Sequence, residues 1–345
     1  MNNLDLIRRC LRSDVPIMLW GAPGVGKTAT IEALAAAEGA HLETLIGSTL
    51  DPVDVGGFLI PAHGEVRSVP PPWAQRINEA LAMGQKAWLF LDELSCAPPS
   101  VQAALLRVVQ SRMVGNLAIT GCKMLAAANP AEHAADGGWL PPATANRWAH
   151  IDYKPDPSTW VSGTLAGWGQ PYENAHQRNV AARISGWIRH SPASLLVVPE
   201  GEAAGRAWPS PRAWSALVRA LGESPCTKED EIRLAGAIVG EGITAAWAAF
   251  DAALDLPDPE EVLAGNAKVP TRGDRAMTTL GSVVLAAMSD HPNREGRIEA
   301  AWKILASQRP DVALAPAAVL LEATGDVPDE AAELGRRLIG VGGGK

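Results

Sequence analysis

The sequence predicts an α/β domain built on a parallel sheet, followed by a helical second half. Short apolar runs alternate with longer amphipathic ones over the first half of the chain, which is the pattern of a parallel sheet with crossover helices. A glycine-rich turn follows the first apolar run, and polar residues follow two others. Beyond about Lys154 helical patterns replace the strand patterns. A chain of 345 residues is long enough for two domains or more.

The elements of the first half follow from their hydrophobic periods. We expect strands over 16–20, 41–47, 87–91, 123–128 and 150–153. Helical periodicity predicts helices over 4–12, 27–38, 72–83 and 100–110. The Gly- and Pro-rich stretch from Ser48 to Pro72 is too long for an ordinary connection and indicates an inserted functional loop. A Gly-Asn turn at 115–116 predicts a β-hairpin over 113–118.

The second half is expected to consist of two groups of helices. Apolar periodicity predicts helices over 174–190, 211–221, 228–239, 244–253, 276–288, 294–307 and 328–338. The Leu-Pro-Asp-Pro segment at 256–259 interrupts this pattern and suggests a domain boundary. We therefore divide the chain into three domains over residues 1–155, 156–260 and 261–345.

Composition excludes several classes of protein. Hydrophobic residues make up 47% of the chain and charged residues 20%, unlike a disordered or collagen-like chain. No apolar run approaches the roughly 18 residues of a membrane-spanning helix, so we expect no membrane span. The net charge is −8 and the basic residues are scattered, so nucleic-acid binding is not indicated. The four cysteines form no C-x-x-C pair, which favours a reduced, cytoplasmic context.

The glycine-rich turn has the form G-x-x-x-x-G-K-[ST] between a predicted strand and a predicted helix. Its residues are Gly21, Ala22, Pro23, Gly24, Val25, Gly26, Lys27 and Thr28. Glycines let successive backbone N–H groups converge on phosphates, Lys27 would neutralise the β- and γ-phosphates, and the Thr28 hydroxyl would bind Mg²⁺. The alternative is a glycine-rich turn without a ligand. The context favours a triphosphate loop.

Polar residues end two further strands. Asp92 and Glu93 follow the apolar run 87–91, so one carboxylate can enter the metal shell while the other orients and deprotonates a water. Asn129 ends the strand 123–128 and can hold the same water. An ordinary acidic strand end and an Asn-Pro turn are the plain alternatives. The order of the three motifs along the chain favours the catalytic interpretation.

Two arginines are candidate partners of the γ-phosphate. Arg147 precedes the predicted fifth strand, where an arginine at a subunit edge can reach the nucleotide of a neighbour. Arg212 begins a helix of the second half, from which it can sense the same phosphate within its own chain. For each, a solvated or stacked arginine is the alternative.

The ordered set of glycine-rich loop, Asp92-Glu93, Asn129, Arg147 and Arg212 resembles an AAA+ ATPase. The insert at 48–72 and the hairpin at 113–118 are similar to those of the helix-2-insert branch, which contains the MoxR and dynein-related ATPases. The segments 50–57, 140–150 and 211–213 look MoxR-like, and 239–242 and 254–259 resemble phage and actinobacterial members. The resemblance covers about residues 1–265. Trp148 departs from it, because the family usually has Phe there.

The resemblance implies a fold, a site and partners. Residues 1–155 would form the P-loop α/β domain with strand order 5-1-4-3-2, residues 156–260 a helical lid, and residues 261–345 a helical C-terminal extension. Asn129 would be sensor 1, Arg147 the arginine finger and Arg212 sensor 2. A hexameric ring would bind ATP and Mg²⁺ at its subunit interfaces and remodel a protein client, with a von Willebrand factor A domain partner.

Two other functions are compatible with the same core. A nucleic-acid motor or loader would need clustered basic residues, which the acidic chain lacks, although a few pore residues could track a strand. A small-molecule kinase would not explain Asn129, Arg212 and the helical second half together, and Glu93 suits the activation of water.

Overall fold

The protein is described from a computed structural model over residues 3–62, 65–130, 140–253 and 256–336. The chain forms two compact units, Met1–Lys154 and Pro155–Lys345. Within the described ranges, no helix has both the length and the apolar character needed to cross a membrane. Residues 337–345, which include the end of the helix predicted over 328–338 and the last residues of the predicted extension, lie outside those ranges.

The first unit is organised around a five-stranded parallel sheet. Five of its strands form this sheet in the order β2-β5-β8-β1-β9, and β3–β4 and β6–β7 form antiparallel hairpins. The strands are β1 (Ile17–Trp20), β2 (His41–Ile46), β3 (Phe58–Ala62), β4 (Glu65–Val69), β5 (Ala87–Asp92), β6 (Met113–Val114), β7 (Leu117–Ala118), β8 (Lys123–Ala128) and β9 (Ala149–Asp152). Counting only the five parallel strands, this is the expected order 5-1-4-3-2. That prediction is confirmed.

Helices cover both faces of the sheet. The helices of this unit are α1 (Asn3–Arg12), α2 (Lys27–Ala37), α3 (Pro52–Gly56), α4 (Pro72–Ala82), α5 (Pro99–Ser111) and α6 (Pro142–Ala145). Ile7 of α1 and Ile31 of α2 share a buried cluster with Leu19 of β1. On the other face, Ile77 of α4 and Leu105 of α5 pack with Met18. Because neighbouring residues of a strand face opposite ways, a central strand buried on both sides is apolar throughout.

The insert between β2 and α4, expected as an inserted functional loop, contains regular elements among its described residues. It contains α3, which begins with a capping box between Asp51 and Asp54, and the β3–β4 hairpin. Leu59 is 74% exposed, Val66 69% and Phe58 55%. Since apolar residues of this hairpin are exposed on both of its faces, the sequence lacks the alternation that marks a half-buried strand.

The predicted hairpin at 113–118 is confirmed as β6–β7. Its tip contains Gly115, whose φ of 58° is left-handed. A Cβ there would lie 2.3 Å from Ser68 Oγ, so the tip lies directly against β4. Arg107 of α5 donates a hydrogen bond of 3.3 Å to the Gly115 carbonyl. The insert, the hairpin and α5 are therefore in contact.

The second unit is helical, as expected. Its helices are α7 (Pro157–Leu165), α8 (Ala175–His190), α9 (Pro211–Glu223), α10 (Lys228–Val239), α11 (Glu241–Ala252), α12 (Pro259–Leu263), α13 (Gly273–Met288), α14 (Arg294–Ala306) and α15 (Pro310–Thr324). One buried cluster extends from Trp160 to Leu334, so the core runs across residue 260. The division of this unit into a lid and an extension at that residue stays a prediction. Helix α15 was not predicted, because it is apolar on most sides and contains Pro316.

A buried ion network ties three helices of the second unit together. Arg183 of α8 donates to Asp251 of α11 at 2.7 Å and to Glu231 of α10 at 2.8 Å. Lys228 donates to both carboxylates, at 2.7 and 2.9 Å. Burial opposes ionisation of Glu231 and Asp251, but the hydrogen bonds and positive charges of Arg183 and Lys228 together outweigh it and hold the pKa of each carboxyl below its ordinary value. Both acids are therefore charged in the folded unit at neutral pH.

Candidate active site

The segment from Gly21 to Gly26 connects β1 to α2, and Lys27 and Thr28 begin that helix, as the motif predicts. Gly24 and Gly26 have φ values of 74° and 98°, in the region that glycine occupies without strain. A Cβ at Gly21 would lie 2.4 Å from the Tyr153 carbonyl, so the strand end admits no side chain there. Glycine is therefore required both for the path of the loop and for its approach to β9.

Lys27 is 8% exposed and is turned into the loop. Its Nζ donates to the carbonyls of Gly21 at 2.7 Å and Ala22 at 3.0 Å. It also donates to Oδ1 of Asn129 at 2.9 Å. The carboxyl end of β8 therefore lies next to the lysine of the loop, although 102 residues separate the two in sequence. Parallel strands bring such residues together because their carboxyl ends share one edge of the sheet.

Thr28 and Asp92 form a second pair at the same edge. The Thr28 hydroxyl donates to Asp92 Oδ2 at 2.6 Å. Hydroxyl and carboxylate oxygens are the hard ligands that Mg²⁺ takes in nucleotide sites. The donor set therefore fits a magnesium ion, with the hydroxyl and the carboxylate close enough to share it.

Glu93 stands at the end of β5 with an unusual backbone. Its φ of 54° is left-handed, which a residue with a side chain adopts only when its surroundings hold it. Oε2 of Glu93 accepts a hydrogen bond of 2.6 Å from the Ser48 hydroxyl. Ser48 was not among the predicted site residues, because a single serine in the Gly-Ser-Thr turn carries no motif. Its position just after β2 could have been the signal.

Asn129 is supported by a second serine that the motifs did not reveal. The Asn129 backbone N–H donates to Ser95 Oγ at 3.3 Å. Ser95 is 2% exposed and belongs to the turn that follows Glu93. The turn after β5 therefore supports the end of β8, which leaves the Asn129 side chain to Lys27.

Lys27, Thr28, Asp92 and Asn129 form what we call the P-loop group. None of the described hydrogen-bond partners of Arg147 belongs to this group. Its guanidinium donates to the Ala143 carbonyl in its own turn, and to Gln110 Oε1 of α5 at 3.1 Å. Trp148 next to it is 7% exposed and packs in the core around Met18. The departure from Phe thus keeps an aromatic ring in a buried position, while Arg147 itself is half-buried.

Arg212 belongs to the second unit. It is the second residue of α9, follows Pro211, and is exposed. The Ser210 side chain caps the helix by accepting from the Ala213 N–H at 3.2 Å. The local expectation, an arginine in the first turn of a helix, is met. Its role as sensor 2 stays a prediction.

A parallel sheet with a lysine-containing glycine loop, an acidic strand end and an asparagine at one edge defines a P-loop nucleotide hydrolase. The comparison with protein families agrees, since residues 16–147 match the AAA domain of the dynein-related subfamily. That segment is similar to an AAA domain, and the chain is an ATP hydrolase.

Two solved structures resemble the chain at low identity. A mutant of RuvB from Thermotoga maritima is 14% identical, with 84% of this chain and 88% of that chain covered and a TM-score of 0.37. A protein of Cytophaga hutchinsonii, designated a candidate ATPase, is 18% identical, with 69% and 81% covered and a TM-score of 0.31. Both scores are low, and nothing about the function of this chain follows from these two structures.

Proposed function

We propose that this chain is a MoxR-like ATPase of the phage and actinobacterial type, which assembles into a hexameric ring. Each subunit would bind ATP and Mg²⁺ at the interface with its neighbour and use hydrolysis to remodel or assemble a protein client. The observation that carries the proposal is the separation of the site into two groups. Lys27, Thr28, Asp92 and Asn129 meet at one sheet edge, whereas Arg147 is held by Gln110 and its own turn. An arginine held outside the P-loop group suits a nucleotide on another copy.

The residues of the P-loop group would divide the chemistry. The loop amides and Lys27 hold the phosphates, and Thr28 with Asp92 holds the metal. A bound Mg²⁺ supplies Lewis-acid charge to the phosphate oxygens. Once the hydrogen bond between Ser48 and Glu93 is broken, the Glu93 carboxylate accepts the proton of the attacking water. Asn129 orients that water.

Arg147 of the neighbour would stabilise the charge that develops on the transferring phosphoryl group. Arginines in this role contribute about 10³–10⁵ in rate, or roughly 4–7 kcal/mol of barrier. Arg212 would contact the same phosphate from its own chain. Together with Asn129, it would report whether the nucleotide has been hydrolysed.

The insert is the proposed contact with the client. The β3–β4 hairpin exposes Leu59, Val66 and Phe58 to solvent, and exposed apolar surface favours a protein partner over water. A von Willebrand factor A domain protein is proposed as a second partner because the family resemblance suggests it. A nucleic-acid substrate is disfavoured by the net charge of −8.

Mixed rings test whether Arg147 acts on a neighbour. Lys27→Ala removes nucleotide binding and Arg147→Ala removes the finger, so each variant alone should be inactive. In a mixture, a Lys27→Ala subunit still offers Arg147 to the intact P-loop of an Arg147→Ala subunit. We expect mixing to restore ATPase activity at those interfaces. Absence of any recovery in assembled mixed rings would refute the trans arrangement.

A Glu93→Gln variant would identify the protein client. It should bind ATP without hydrolysing it and remain bound to its protein partners, which mass spectrometry of the purified complex would identify. Rapid hydrolysis by this variant would remove Glu93 from the mechanism. ATPase stimulation by DNA that falls with salt would favour a nucleic-acid motor instead.

A further inference from the structure

His150 connects the strand that enters the nucleotide loop to the turn that carries Arg147. We propose that His150 is a positioning residue for Arg147, which it anchors through Trp20 to the end of β1. This proposal rests on the trans role of Arg147 proposed above. His150 is not one of the predicted site residues, and its side chain contacts none of them among the described hydrogen bonds.

Both ring nitrogens of His150 are in use. The Trp20 indole Nε1 lies 2.7 Å from His150 Nδ1, and His150 Nε2 lies 2.8 Å from the Ala145 carbonyl oxygen. An indole N–H can only donate and a carbonyl can only accept. His150 is therefore the neutral tautomer with its hydrogen on Nε2, which accepts from Trp20 and donates to Ala145.

The two rings also stack. Their centroids are 6.0 Å apart, and their planes differ by 19°. On the parallel strands β1 and β9, His150 stands opposite Met18, two residues before Trp20. Stacking and the hydrogen bond together restrict the imidazole to one orientation, which aims Nε2 at Ala145.

The hydrogen-bonded series Trp20–His150–Ala145 begins beside the nucleotide loop. Trp20 is the last residue of β1, and Gly21 is the first residue of the P-loop. The Gly21 N–H donates to Ala128 of β8 at 3.3 Å, and the Trp20 carbonyl accepts from the Tyr153 N–H at 2.6 Å. The end of β1 is thus bonded on both sides, and it gives His150 a fixed point of attachment.

The other end is the turn of Arg147. Ala145 is the last residue of α6, a helix of four residues, and so short a helix is not stable by itself. Arg147 follows two residues later and donates to Gln110 on α5. His150 therefore holds the backbone of the turn, while Gln110 holds the guanidinium. Release of the backbone anchor would let the guanidinium shift, and a displacement near 1 Å can cost about 100-fold in rate.

His150→Phe is the direct test, because Phe keeps an aromatic ring for stacking and removes both hydrogen bonds. The mixed rings described above separate a positioning role from general damage. In a Lys27→Ala subunit only Arg147 is used, so adding His150→Phe there should lower the restored ATPase activity about tenfold or more. In the Arg147→Ala subunit only the P-loop is used, so the same change should alter activity less than about twofold.

Trp20→Phe provides a second variant that removes only the indole donor. In the Lys27→Ala subunit it should reduce activity in the same direction. His150→Gln, whose amide can donate to Ala145, should recover part of the loss. The proposal would be overturned if His150→Phe in the Lys27→Ala subunit left the restored ATPase activity unchanged. It would also be overturned if His150→Phe lowered that activity equally in the Lys27→Ala subunit and in the Arg147→Ala subunit. If Lys27→Ala and Arg147→Ala subunits do not complement each other at all, the trans role of Arg147 fails first.

Discussion

The Ser48 hydroxyl donates a hydrogen bond of 2.6 Å to Oε2 of Glu93. Ser48 lies in the turn Gly47–Thr49 that follows β2, and Glu93 follows β5, the neighbouring strand. The carboxylate oxygen that accepts from Ser48 has one lone pair fewer for a water molecule. The Glu93 carboxylate is therefore restrained by a residue of its own chain.

Removal of this restraint should raise basal turnover. A net hydrogen bond contributes about 0.5–1.5 kcal/mol, so Ser48→Ala should increase the steady-state ATPase rate about 2- to 10-fold. Thr49→Ala is the matched control, because the Thr49 hydroxyl donates to the Ile46 carbonyl and not to Glu93. A fall in rate to the level of Glu93→Gln would mean that Ser48 orients Glu93 for catalysis.

Asn129 should affect turnover more than nucleotide binding. Asn129→Ala removes one acceptor of Lys27 and leaves the carbonyls of Gly21 and Ala22. We expect kcat to fall about 100-fold, the range of a group that positions a proton-transfer partner, while the dissociation constant for ATP changes little. Ser95→Ala is the control, since the Ser95 hydroxyl hydrogen-bonds to the backbone N–H and carbonyl of Asn129 and not to its side-chain amide. A loss of ATP binding equal to that of Lys27→Ala would contradict this division of roles.

The exposed hairpin should matter for the client and not for the chemistry. Leu59→Ser combined with Val66→Ser should reduce the amount of protein captured by the Glu93→Gln ring. Basal ATPase of the same pair of changes in the wild-type ring should stay within about twofold, and stability within about 0.5 kcal/mol, because both side chains are exposed. Met83→Ser, at a residue that is 78% exposed after α4, is the control. If the Glu93→Gln ring captured the same amount of protein alone, with the Leu59→Ser and Val66→Ser pair, and with Met83→Ser, the client would bind outside the β3–β4 hairpin.

Arg183 should stabilise the second unit strongly. Arg183→Ala leaves two buried carboxylates without their main partner, which costs about 3–5 kcal/mol of unfolding free energy. Arg233→Ala is the control, because that guanidinium is 76% exposed and lies 3.8 Å from Asp230. An exposed pair of this kind contributes about 0–1 kcal/mol. Urea unfolding of the two variants and the wild-type chain measures the difference.

The same network predicts a pH dependence with a definite sign. Folding lowers the pKa of Glu231 and of Asp251. Their contribution to the free energy of unfolding is therefore complete above the pKa values of unfolded carboxyl groups, about 4. It is lost as pH falls through the lower, folded values. The stability difference between wild-type and Arg183→Ala chains should therefore shrink as the solution becomes strongly acidic. A difference that does not change with pH would show that the network contributes through packing alone.

Local patterns of the sequence were enough for the sheet and for the P-loop group. Apolar runs defined the parallel strands, and Asp92 and Asn129 were found because each directly follows such a run. Patterns failed where burial does not follow a single period. The β3–β4 hairpin is exposed on both faces, and α15 is apolar on most sides and contains Pro316.

What the sequence alone determined about this protein is its enzyme class, because the backbone geometry of a phosphate-binding loop demands particular residues at fixed spacing. Only the tertiary structure decided which single side chains hold the predicted catalytic residues Glu93 and Arg147, and His150 beside them. Ser48 meets Glu93 across 45 residues, Gln110 meets Arg147 across 37, and Trp20 meets His150 across 130. Such contacts leave no local pattern, since any polar side chain of suitable reach could make them, and the packing of strands and helices selects the one that does.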